Sequence, residues 1–143
     1  SEYGMTLNIY QLPPERVHQS WHQLEPLLEQ LDKFSNGEGN VDQAKVALIN
    51  GTSIALIVAE KSMEAKGVVV GEWKMTPGKR IFFVTGWAGA NAMPDELNDK
   101  IEVWVKANGG TAMQCAVRDS MGRMLKQRWQ YEKVYTIYEK EIV

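Results

Sequence analysis

The chain has one cysteine, Cys115, among 143 residues, and no apolar run that reaches the roughly 18 residues a membrane span requires. A single cysteine excludes an internal disulfide and a cysteine-based metal site. It lies in an apolar run (Ala112, Met113, Cys115, Val117), where a small buried core residue is expected. An excess of charge of one sign is also missing. The net charge is −2 and no block of five like charges occurs, which argues against nucleic acid as a partner, because such surfaces are usually basic. There is no internal repeat, low-complexity stretch or linker, so one domain over residues 1–143 is expected. Ser1 to Gly4 stand ahead of Met5 and are candidates for residues foreign to the native chain. No secretory pattern is seen, so a cytoplasmic location and no membrane partner are expected. A G-x-x-x-x-G-K-[ST] phosphate loop and a G-x-S-x-G nucleophile elbow are both absent, so the mechanisms those motifs carry have no support in the sequence.

What is present reads as an ordinary folded domain, 44% apolar and 24% charged. Thr6 to Gln11 alternates with Leu7 and Ile9 on one face, suggesting a strand, and Pro14 suits the first turn of a helix. Val17, Trp21, Leu24, Leu28 and Leu31 recur at helical spacing, interrupted by Pro26, so a kink or two consecutive helices are expected. After the turn-rich SNGEGN, Asn40 is placed to cap a helix facing inward with Val41, Ala44 and Leu48, and Gly51 follows its end. Three strands follow in a meander: Ser53–Glu60, Gly67–Lys74 with Gly71 as a candidate bulge, and Arg80–Trp87 after the Thr76-Pro77-Gly78 turn. Pro94–Asn108 is the clearest helix, with Leu97, Ile101, Trp104 and Val105 as its buried stripe and Gly109-Gly110 closing it. A strand over Thr111–Val117 is expected next. A helix capped by Ser120, with Met124, Leu125 and Trp129 inward, follows it, and a terminal strand over Val134–Val143 ends the chain. The order implies a mixed, mostly antiparallel α/β (α+β) sheet with helices on both faces. A strand that opens into a small-residue turn and feeds a helix start can also hold an anionic group, because the first N–H groups of a helix have no internal partner.

This order resembles the GNAT N-acetyltransferases over nearly the whole chain. IEVWVKANGG before a strand, an Arg after that strand, a short helix with a Leu-Lys pair and a terminal YTIYEKEI look especially like small divergent members encoded by bacteriophages. The resemblance implies acetyl-CoA as cofactor and a small-molecule or protein amine as acceptor. It also implies direct attack on the thioester, and a home in host cytoplasm or virion. In the family a Gln/Arg-x-x-Gly-x-Gly/Ala turn holds the CoA pyrophosphate. Here the register runs Gly86, Trp87, Ala88, Gly89, Ala90, Asn91, and only Gly89 matches, so the alternative is a tight turn that lets strand and helix pack closely. Asp95 and Glu96 would repel a diphosphate at that helix start. The next signature, Asn-x-x-Ala-x-x-Leu-Tyr, aligns Asp119 with the Asn and Leu125 with the Leu. Lys126 then stands where the proton-donating Tyr belongs, with Tyr131, Tyr135 and Tyr138 as nearby substitutes.

The candidate residues are therefore Glu72 as general base, Lys126 or Tyr131 as acid, and Trp87, Ala88, Gly89, Ala90, Asn91 and Asp119 around the cofactor. The competing reading of each is structural: a solvent-facing Glu72 and Lys126, and packed tyrosines. His18 and His22, four apart on a helix, lack a third ligand and read as solvated. Few residues follow the last helix, so the single terminal strand replaces the hairpin with which the family commonly closes the acceptor side. That side is then open or completed by a partner subunit. Three readings remain: an acetyl-CoA-dependent N-acetyltransferase, a GNAT-fold protein without catalysis that binds or builds, as a homodimer or with a phage protein, and a small homodimeric interaction protein of unrelated fold, which a different sheet order would favour.

Overall fold

The computed structural model describes residues 7–32, 40–61, 64–89 and 94–143. Five strands form one sheet in the order of the chain: β1 (Asn8–Gln11), β2 (Ile54–Ala59), β3 (Ala65–Thr76), β4 (Lys79–Gly89) and β5 (Ala112–Cys115). The first four pair antiparallel, and β5 joins β4 in parallel. Parallel pairing requires a crossover, and α3 (Asp95–Ala107) supplies it. The other helices are α1 (Trp21–Asp32), α2 (Val41–Asn50) and α4 (Asp119–Trp129). Pro14 opens a short 3₁₀ turn, and α1 begins only at Trp21. The break in the first helical pattern thus falls before Trp21, and Pro26 is accommodated inside α1.

The alternation of the central strands divides the core. Val68 and Val70 of β3 point to the face covered by Leu24 and Leu28 of α1 and Leu48 of α2. Val69 of β3, with Phe82 and Val84 of β4, points to the face covered by Leu97, Ile101 and Val105 of α3. Each of these side chains, withdrawn from water, contributes roughly 1.5–3 kcal/mol before the entropy of ordering is counted. Asn40 caps α2 through its Oδ1, which accepts from the Gln43 N–H at 2.8 Å, and Gly51 ends the helix at a φ of 82°. Pro77-Gly78 closes the β3–β4 hairpin with Gly78 at a φ of 78°, the pattern of a type II turn.

Four expectations are corrected. Val134–Val143 forms no strand and lies exposed. Alternation alone does not make a strand, because it gives no hydrogen-bonded neighbour. The expected strand Thr111–Val117 shrinks to four residues. α4 begins at Asp119 after Arg118, without a side-chain cap from Ser120. Cys115 is half-buried rather than core, because β5 is the sheet's edge.

The β3–β4 register slips beside Gly71, but the extra residue is Thr85 on β4: Val70 pairs with Gly86 and Gly71 with Val84. Gly71 is needed there for room. A Cβ on it would lie 2.5 Å from the Phe82 ring and 2.8 Å from the Phe83 carbonyl. Gly71→Ala is expected to lower the unfolding free energy by about 1–3 kcal/mol. Urea midpoints check this, and an unchanged midpoint would show that Phe82 swings aside freely.

Candidate functional site

The sheet opens between β4 and β5. β5 pairs only with Ile81 to Val84, and β4 then runs on from Thr85 to Gly89 along β3. Over those last residues no strand among the described residues lies beside the β4 edge that faced β5. The bulged Thr85 begins this stretch, and its hydroxyl donates to the Val70 carbonyl at 3.1 Å. α3 follows β4 and α4 follows β5, so both helices start at the end where the strands part.

The expected cofactor residues are spread around this opening. Trp87 packs toward the α3 face and Ala88 is buried on the α1 face. Ala90 and Asn91 lie outside the described residues. Gly89 has a φ of 76°, and a Cβ there would run into the Lys66 carbonyl of β3. Its missing side chain thus serves close packing against β3. Asp119 is exposed in the first turn of α4.

The acidic start of α3 is not the bare repulsive pair the sequence suggested. The Asp95 carboxylate accepts from the Trp129 indole N–H at 2.8 Å and from the Arg128 guanidinium at 2.7 Å. These two bonds, the indole first, hold its pKa below the ordinary carboxylate value. Glu96 Oε1 accepts from the Leu7 N–H at 3.3 Å. Arg128 and Trp129 were not visible as partners of Asp95 in the sequence, since no local spacing connects residues so far apart. Trp129, expected to face inward, is half-buried and donates its indole N–H to this carboxylate.

The catalytic candidates separate. Lys126 is exposed on α4. Glu72 shares the α1 face with Val70 by strand alternation and pairs with Phe83, whose ring lies 3.7 Å from the Lys74 ammonium. Tyr131 lies on the other face of the sheet. Its hydroxyl is 4.0 Å from Met113 Sδ on β5. Burial, first, and then the nearby Cys115 and Glu102 push the Tyr131 phenol well above its ordinary range, so it stays protonated. His18 and His22 are exposed, and no three potential ligands cluster among the described residues. A surface depression of about 340 Å³ lies elsewhere, on α2 between Asp42, Val46, Asn50 and Thr52, away from the candidate chemistry.

Solved structures share this arrangement. A ribosomal-protein-alanine N-acetyltransferase from Brucella melitensis biovar Abortus 2308 matches with a TM-score of 0.67 at 14% identity, over 96% of this chain and 100% of that one. A probable acetyltransferase matches at 0.68 and 12%, over 95% and 98%. An aminoglycoside acetyltransferase from an uncultured soil metagenomic sample, solved in complex with sisomicin, matches at 0.65 and 13%, over 95% and 97%. The fold is GNAT-like. At these identities the likeness speaks for the fold alone. No protein-family model matches the chain. No curated protein matches it either. No helix among the described residues is long and apolar enough to cross a membrane.

Tyr131 gives a pH test. A phenol whose pKa is raised by folding stabilises the protein below its ordinary value near 10, and that contribution is lost as pH rises above it. Tyr131→Phe is therefore expected to move the alkaline unfolding midpoint upward relative to the unmodified chain, followed by far-ultraviolet circular dichroism. An unmoved midpoint would place the hydroxyl in water.

Proposed function

We propose that this protein is an acyl-CoA-dependent N-acyltransferase that moves an acetyl group to an amine, with the acyl arm lying along the free edge of β4. The observation that carries the reading is the parting of β4 and β5 after Val84 and Cys115, at the end where two helices start. A strand edge without a neighbour offers backbone N–H and C=O groups to an amide-bearing arm, as it would to another strand. The residues fit such a ligand in kind. Trp87 supplies an apolar wall, and the Asp95 charge is met by Arg128 rather than left facing the opening.

Acetyl-CoA, when bound, supplies an activated acyl thioester. The chain's own residues then have to manage protons on both sides of the sheet. Glu72, on the α1 face beside Phe83, takes the proton that an acceptor ammonium must lose, directly or through water. Tyr131, on the opposite face over β5, holds a phenol proton through the physiological range and donates it to the leaving sulfur. Lys126, exposed on α4, takes no part. The acceptor is a small-molecule amine in this reading, supported by the aminoglycoside acetyltransferases of the same fold. None of the three structures named above is described as a phage protein, so a phage home rests on the four sequence cues alone.

Calorimetric titration with acetyl-CoA and CoA tests the reading. Heat of binding, with turnover of an amine, is expected. Tyr131→Phe should then lower kcat about 10²-fold with KM nearly unchanged. No heat and no thermal shift at millimolar CoA would sink the enzyme reading and leave the alternative, a GNAT-fold binding or structural protein.

A further inference from the structure

We infer that Asp95 is a positioning residue: by gripping Arg128 and Trp129 it holds the end of α4 so that the Tyr131 phenol lies over β5. Tyr131 is half-buried, while every residue from 132 to 143 is exposed. An exposed stretch cannot fix the ring, so its place is set from the α4 side. Its hydroxyl is nonetheless brought to 4.0 Å from Met113 Sδ on β5.

The link from α4 to Tyr131 is a single residue, Gln130, at a φ of 58° and a ψ of 32°. Among the described residues it is the one non-glycine in the left-handed region. A Cβ is crowded there, so glycine is the usual occupant at a helix end. The turn lets the Tyr131 N–H donate back to the Leu125 carbonyl at 3.3 Å. The exposed Gln130 side chain reaches only the Arg128 carbonyl, at 3.4 Å. Both bonds are long and do little to hold a strained turn. Strain of this kind persists where the surroundings determine it.

The surroundings here are Asp95. Its Oδ1 accepts from the Arg128 guanidinium at 2.7 Å and from the Trp129 indole N–H at 2.8 Å. These donors belong to the two residues immediately before the turn. An exposed ion pair by itself holds little. The indole decides, because a half-buried planar ring has one donor and one direction for it. Asp95 in turn stands on a fixed base, since Leu97, Ile101 and Val105 anchor α3 in the core. The restraint therefore runs from the core through α3, Asp95, Trp129 and Gln130 to the phenol.

Tyrosinate absorbance, taken as the difference from Tyr131→Phe, follows this phenol alone. In the unmodified chain it should rise only as the fold is lost at high pH. Burial, first, and then Cys115 of β5 and Glu102 of α3 disfavour the phenolate. In Asp95→Ala, which opens no cavity because Asp95 is exposed, it should rise in the ordinary phenol range while circular dichroism stays native. Trp129→Phe should do the same. Asp95→Asn, whose amide oxygen still accepts from the indole, should restore the late rise. The consequence for turnover rests on the acyltransferase reading. Asp95→Ala should lower kcat about tenfold with KM nearly unchanged, and should cost nothing further in Tyr131→Phe. A phenol that still titrates late in both Asp95→Ala and Trp129→Phe overturns the inference, whether or not the chain is an enzyme. So does a loss of kcat in Asp95→Ala that is equally large in Tyr131→Phe. An early phenol in Asp95→Ala without any CoA binding would remove the enzyme reading and still support the seating of Tyr131 by Asp95.

Discussion

A strand that loses its neighbour on one side keeps its course only if the neighbour on the other side holds it. β4 is held by β3 from Lys79 to Gly89 in one long ladder, closed at the near end by Pro77-Gly78 and at the far end by the close approach of Gly89 to Lys66. Because that ladder persists, β4 can part from β5 after Val84 without fraying. The bulge at Thr85 falls at the same point. It advances β4 by one residue, turns Gly86 toward Leu31 of α1 and leaves Trp87 on the α3 face. Gly71 and Phe82 set the depth of this bend, since the ring occupies the space a side chain at Gly71 would need. The opening therefore depends on a packing constraint well inside the sheet.

The two faces created by that ladder carry different chemistry. On the α1 face Glu72 is half-exposed beside Lys74 and Phe83. On the α3 face Tyr131 is drawn against Met113 and Cys115, where burial keeps both the phenol and the thiol protonated. The start of α3 completes the pattern. Its carboxylates would oppose an anion if unpartnered, but Asp95 is bound by the end of α4, and that exposed pair matters more for cancelling charge than for stability. The Trp129 indole makes the arrangement directional, because it fixes one carboxylate oxygen toward α4.

Much of the fold was legible because it follows from local rules. Asn40 and Gly51 bracket α2, Pro77-Gly78 closes a hairpin, and the stripe from Leu97 to Val105 marks a helix whose other face is polar. Each signal is carried within a few residues. Long-range pairing was not legible. Nothing near Thr85 says that it will be the extra residue in a ladder, and nothing near Asp95 points to Arg128 and Trp129. Gly89 was read through a family motif, and its first obligation turned out to be the backbone of β3. The faces of Glu72 and Tyr131 depend on strand registers that one chain's pattern does not encode. The segment 134–143 shows the same limit from the other side. Its composition announces a strand, but a strand requires a partner, and within one subunit the described structure supplies none.

The shortness of β5 links these points. Four residues pair with β4 and the chain then leaves through Ala116-Val117-Arg118 into α4. One departure thus opens the gap on the inner side and leaves an incomplete edge on the outer side. If β5 were longer, the β4 edge would be covered. With β5 as it is, the outer edge is too poorly covered to resist unwanted strand pairing by itself, the hazard that natural sheets usually blunt with charge, proline or a cover. Ala112-Met113-Gln114-Cys115 itself carries neither charge nor proline. A strand added there would stiffen the outer wall of the gap, because β5 would then be held from both sides, as β4 is along its first half. Covering the edge and bordering the gap are in this sense one structural problem, and the same four residues pose both halves of it.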